Sequence, residues 1–123
     1  MLIAGVALGV CVLFVRVVII TGSSMEPTLF PGDVCIAWKG SGVEVGDVVL
    51  FRKPGSRAVV HRVVGIEEGP RFRTRGDANE VEDREELAPD AIVGRVVWVL
   101  PLGSAGQGWI RATMGATLLN QPE

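Results

Sequence analysis

The amino-acid sequence predicts a mainly β fold: one compact, mostly antiparallel domain behind an N-terminal membrane-anchor helix. Two observations carry the β expectation. From Arg16 onward, "RVVIIT", "DVCIAW", "DVVLFR", "AVVHRVVGI", "RFRTR" and "AIVGRVVWVL" are short runs rich in Val and Ile, side chains that suit a pleated, half-buried surface. Turn signals such as "FPGD", "KGSG", "EVGD", "KPGS" and "EEGP" separate them, which is the punctuation of antiparallel strands. A third observation carries the helix: "MLIAGVALGVCVLFV" runs fifteen residues without a charge.

As a helix that run is about 22 Å long at roughly 1.5 Å per residue, short of a ~30 Å hydrocarbon core. Adding "RVVII" reaches 20 residues, with Arg16 snorkelling to the interface. A cleaved signal peptide and a buried helix are the competing readings. The start lacks Lys or Arg and the exit "VRVVII" lacks small residues, so the anchor is favoured. Residues 1–15 are therefore read as a transmembrane anchor and 16–102 as the β-rich domain. Residues 103–123, opening on "GSAGQG", are read as a flexible Gly-rich stretch and tail. If "EEGP" closes a tight hairpin, Glu67 opposes Pro70 and His61 falls opposite Gly76, near Asp77.

Composition excludes several classes. The 123 residues allow one small domain. Twelve basic against 14 acidic residues give a net charge of -2, which argues against nucleic acid as a partner. Two cysteines are too few for a disulfide scaffold or a zinc cluster, so Cys11 and Cys35 are read as free thiols. Neither a metal nor an organic cofactor is expected. Trp38, Trp98 and Trp109 are candidates for interfacial contact, with core packing the reading for at least two of them.

The chemistry concentrates in "TGSSMEPTLFPGD", residues 21–33. Hydrolysis by a serine needs a hydroxyl, a base and donors for the oxyanion. Ser23 and Ser24 supply hydroxyls, Gly22 permits close backbone approach, and Pro27 stiffens the chain. His61 is the only histidine; Lys39 and Lys53 lie in exposed turns, where neither is neutral at pH 7. His61 needs no such adjustment to act as base. In the acidic stretch "RGDANEVEDREE", Glu80, Glu82, Glu85 and Glu86 read as solvated, and the spacing is not that of an EF-hand. Asp77 and Asp83 both remain candidates to orient His61.

An apolar start followed by "GSSMEPTLFPGD", "VGDVVLF", "VHRVVGI", "TRGDANEVED" and "IVGRVVWVLP" resembles the type I signal peptidase family over roughly residues 1–101. The residue before "RVVG" divides that family: the usual bacterial enzymes carry Lys there, and His61 resembles the endoplasmic-reticulum and archaeal branch. The resemblance implies Ser24 as nucleophile, His61 as general base and Asp83 as the triad acid, with Asp77 also needed near the site. It assigns Gly22, Ser23 and Met25 to the substrate and oxyanion surroundings. One departure stands out: many members carry Ser two residues before the nucleophile, where this chain has Gly22.

What the resemblance implies is a membrane-anchored serine endopeptidase that removes signal peptides from exported preproteins after small-x-small sites of the Ala-x-Ala kind. It implies an acyl-enzyme and no metal, a single-pass protein of the cell membrane with its catalytic domain on the extracytoplasmic side, and leaves accessory subunits open. Two alternatives are a self-cleaving relative, which would use Lys and carry a DNA-binding domain, and a non-catalytic membrane-tethered β module.

Overall fold

Residues 13–40 and 42–103 are described in the computed structural model of the chain. Most of the expected anchor, Cys11, Trp109 and the tail beyond Gly103 lie outside them. No helix among the described residues is long and apolar enough to cross a membrane.

All six Val- and Ile-rich runs form strands: β1 (Val15–Ile19), β2 (Val34–Trp38), β3 (Val48–Phe51), β4 (Val59–Glu67), β5 (Arg71–Arg75) and β6 (Ile92–Leu100). They make one sheet in the order β1-β2-β6-β3-β4-β5, and every neighbouring pair is antiparallel. The last strand thus joins the hairpin β1–β2 to the meander β3–β4–β5.

Side chains alternate across a strand, so β3 feeds two cores. Leu50 joins Val60, Cys35 and Ala37 beneath Ile20, Met25 and Leu29; these last three come from the segment between β1 and β2. Val49 and Phe51 join Val63, Phe72 and Leu87. The Cys35 thiol is free and buried, and burial, helped by the nearby Asp33 charge, pushes it up to about 11. It is therefore a packing group and not a nucleophile. Trp38 lies against Phe14, ring centroids 5.6 Å apart. Trp98, by contrast, is 62% exposed and takes no core position.

The segment between β1 and β2 is closed at its base. Ile20 N–H donates to the Asp33 carbonyl at 2.8 Å, and Gly32 N–H to the Ile20 carbonyl at 2.7 Å. The buried Asp33 carboxylate accepts the Phe30 N–H at 2.9 Å. With its base tied and Met25 and Leu29 sunk in the core, the loop has little freedom to move Ser24.

The β4–β5 turn differs from the tight hairpin that the sequence suggests. Glu67 faces Arg71, not Pro70, because Pro70 has no N–H to give the ladder. Glu68, Gly69 and Pro70 form the turn, with Gly69 at φ +120°. A bulge between Val63 and Gly65 then cancels the offset, so that Val63 faces Thr74 and Arg62 faces Arg75. One register step further lie His61 and Gly76, the pairing the tight hairpin implied.

The outer edge of β5 is covered. Asp83 N–H donates to the Thr74 carbonyl at 2.8 Å, and Phe72 and Leu87 exchange backbone bonds at 2.9 and 2.8 Å. Pairing an edge in this way removes an aggregation-prone template. It also fixes residues 83–87 against the strand. Leu87, only 1% exposed, is the apolar plug of that segment. Leu87→Ala is expected to cost about 3 kcal/mol, read as a lowered urea midpoint with unchanged slope.

Candidate active site

Three segments distant in sequence converge at one point. Ser24 comes from the β1–β2 loop, His61 from the middle of β4, and Asp83 from the segment covering β5. Ser24 Oγ lies 3.0 Å from His61 Nε2, and His61 Nδ1 lies 2.7 Å from Asp83 Oδ2. A carboxylate can only accept, so Nδ1 carries the proton and Nε2 is the acceptor for the Ser24 O–H. The relay therefore runs from hydroxyl to imidazole to carboxylate, with the imidazole in the tautomer a general base requires.

Each member is held by its own element. His61 is buried in β4 opposite Val49, its ring edge-on to Phe51 at 5.9 Å. Asp83 receives a second bond, from Thr74 Oγ at 2.6 Å, on the same oxygen that faces His61. Ser24 is positioned by its neighbours: Met25 is buried in the core, and the Ser24 carbonyl accepts the Ala78 N–H at 2.8 Å. Gly76 makes that approach possible. A Cβ there would stand 2.6 Å from the Ser24 carbonyl oxygen and 3.0 Å from its Cβ, closer than packed atoms tolerate.

Asp77 is elsewhere. It takes a bidentate pair from Arg62, Nε at 2.9 Å and Nη2 at 2.8 Å, and a bond from Thr28 Oγ1 at 2.6 Å. The hairpin register had put Asp77 beside His61, but register fixes backbone opposition and not the face a side chain takes. His61 and Arg62 are successive on β4 and so point to opposite faces; Asp77 meets the second and Asp83 the first. Arg62 then links Asp77 to the Gly46 carbonyl at 2.7 Å. The Asp77 carboxyl is held below its ordinary 3.8, first by the Arg62 hydrogen bond and then by Thr28 and the Arg62 and Arg75 charges, against the opposing effect of burial.

Thr74, Arg62 and Thr28 are not among the residues that the sequence singles out. Thr74 was legible in principle. In "RFRTR" the arginines alternate with Phe72 and Thr74, so a hydroxyl occupies an inward position, and it is fully buried. Arg62 and Thr28 carry no such signal, since each looks like an ordinary surface residue until Asp77 is placed.

Gly22 and Ser23 are exposed, Gly22 with nothing within 4 Å of where a Cβ would stand. With Ile20, Thr21, Ser24, Val59 and Val60 it lines a cleft of about 240 Å³, a groove between the end of β1 and the start of β4 with Ser24 in its wall. Lys39 is exposed, and Lys53 pairs with Glu85 at 2.9 Å. Neither approaches Ser24 by any bond among the described residues. Glu82 pairs with Arg73 at 2.8 Å, tethering the acidic loop. No cluster of metal-binding side chains occurs among the described residues.

A family model described as signal peptidase, peptidase S26, matches residues 1–85. The chain is 32% identical over 99 residues to the signal peptidase complex catalytic subunit SEC11 of Colletotrichum graminicola, covering 69% of this chain and 58% of that protein. It is 31% identical over 99 residues to human SEC11C, covering 69% and 52%. The match thus spans little more than half the length of these relatives.

Asp77 yields a pH test. Because its folded pKa is depressed, its contribution to stability is fully present above the unfolded value of about 3.8 and is lost as pH falls through the lower folded value. Asp77→Asn is expected to cost about 2 kcal/mol at pH 7. The gap from wild type should stay constant down to about pH 4 and narrow below it, measured by urea unfolding across that range.

Proposed function

The chain belongs to the signal peptidase family, peptidase S26, and from that membership we propose that it is a membrane-anchored serine endopeptidase that cleaves signal peptides from exported preproteins. The single observation that carries the reading is the relay of 3.0 and 2.7 Å from Ser24 through His61 to Asp83. Family membership supplies the class of substrate; the relay supplies the means.

Under this proposal, Ser24 Oγ attacks the scissile carbonyl while His61 Nε2 takes its proton. The Ser24 backbone N–H and the open chain at Gly22 and Ser23 receive the oxyanion. His61 then returns the proton to the leaving amine, leaving an acyl-enzyme on Ser24. Water, deprotonated by His61, releases the acyl group. Asp83 keeps the imidazole in its tautomer and stabilises it when charged, and Thr74 holds Asp83. Asp77 is a positioning residue: through Thr28 and Arg62 it ties the Ser24 loop to β4 beside His61.

An extended signal-peptide end would lie in the groove beside Ser24, pairing with backbone as an added strand. Membership of the signal peptidase family supports small residues at the first and third positions before the cut. The apolar run at the start of the chain supports a single-pass anchor, and the proposed action on exported preproteins supports the extracytoplasmic side of the cell membrane for the catalytic domain. The relatives are named as catalytic subunits of a complex, which supports accessory subunits here as well.

The decisive assay is cleavage of a preprotein with an Ala-x-Ala site in detergent micelles. Wild type should cut once. Ser24→Ala and His61→Ala should each lower kcat by at least about 10⁴, and Asp83→Asn by a comparable factor through the wrong tautomer. A His61→Ala variant that still cuts would overturn the assignment of the base. Gly76→Ala is expected to lower kcat by about 10² with a smaller change in KM, because it displaces Ser24 without touching substrate.

A further inference from the structure

A second cleft, of about 290 Å³, lies beside the first, with Lys53, Arg57, His61, Asp83 and Arg84 in its wall. Arg57 and Val59 line both clefts, Ser24 only the first and His61 only the second. A peptide crossing the Ser24–His61 hydrogen bond therefore passes from one cleft into the other. His61 must hand its proton to the leaving amine, so the leaving part of the substrate belongs on the His61 side.

The charges of this second cleft are unbalanced. Lys53 is engaged by Glu85, and Asp83 by His61 and Thr74. Arg57 and Arg84 are exposed and form no hydrogen bond or ion pair among the described residues. Two guanidinium groups with unspent donors flank a cleft whose one lining carboxylate, Asp83, bonds His61 and Thr74 through Oδ2 and pairs with neither arginine. Guanidinium geometry matches a carboxylate bidentately, and a cleft with apolar walls such as Phe51 and Val59 concentrates the field.

We propose that Arg57 and Arg84 form an acid-selective subsite, so that the enzyme favours preproteins with Asp or Glu within the first two residues after the cut. This rests on the Ser24–His61 protease reading and adds a substrate preference to it.

The test uses the full chain in detergent micelles and three internally quenched peptides. They share an Ala-x-Ala site and differ only after it, carrying Ala, Asp or Lys at the second position, with a parallel set varied at the first. Wild type should cleave the Asp peptide with a kcat/KM about tenfold above Ala, and Lys below Ala. The ratio should shrink between about 50 mM and 500 mM salt. Arg57→Gln combined with Arg84→Gln should bring the Asp-to-Ala ratio to about one, and Arg84→Glu should move the preference toward Lys. Each ratio is taken within one enzyme, so a loss of folded protein cancels. Equal cleavage of all peptides by wild type, or a ratio that survives the double substitution, overturns the subsite and leaves the protease reading standing. No cleavage of any peptide by wild type overturns both.

Discussion

The Ala78 N–H to Ser24 carbonyl bond, 2.8 Å long, joins the β1–β2 loop to the turn after β5, and the site depends on that junction. Alone such a bond contributes about 1 kcal/mol. It is effective because both partners are already fixed. Met25 anchors the loop in one core, and Asp83 N–H pairing with Thr74 holds the far end of the turn. Gly76 has no side chain to keep the two apart. The Ser24 hydroxyl reaches His61 because three separately stabilised segments meet there.

Electrostatics at the site follow from the two faces of β4. His61 and Arg62 are neighbours in sequence and lie on opposite sides of the sheet, so each draws its own carboxylate. Asp83 serves the imidazole. Asp77 serves the guanidinium and, through Thr28, braces the loop that carries Ser24. Asp77 and Asp83 are six residues apart, yet one meets the His61 imidazole and the other the Arg62 guanidinium. That division keeps a second negative charge away from His61 while using it to stiffen the frame.

Much of the frame was legible in the sequence. Val- and Ile-rich runs between Gly and Pro turns gave six strands, because branched side chains and turn residues act locally. His61 stands out as the one imidazole of the sequence and the serine pair as its nearest match in chemistry, whereas the ranking of Ser24 and Asp83 among the hydroxyls and carboxylates came from the family resemblance. The β4–β5 register was close to legible as well. The three-residue turn around Gly69 shifted it by one, and the bulge before Gly65 shifted it back. Pro70 carried the warning, having no N–H to offer a ladder.

The amino-acid sequence by itself determined which residues form strands, where the chain turns and which side chains have the chemistry to react. Propensity and patterning operate over a few residues, so these features need no distant partner. Only the tertiary structure decided the rest: the insertion of β6 between β2 and β3, the face each carboxylate takes, the burial of Thr74 against Asp83, and the cleft where Arg57 and Arg84 stand without partners. Each of those depends on contacts beyond the reach of local propensity, from nine positions apart for Thr74 and Asp83 to several tens for the strand pairing of β6, and side-chain direction at such contacts is set by which face of the sheet is turned toward which loop.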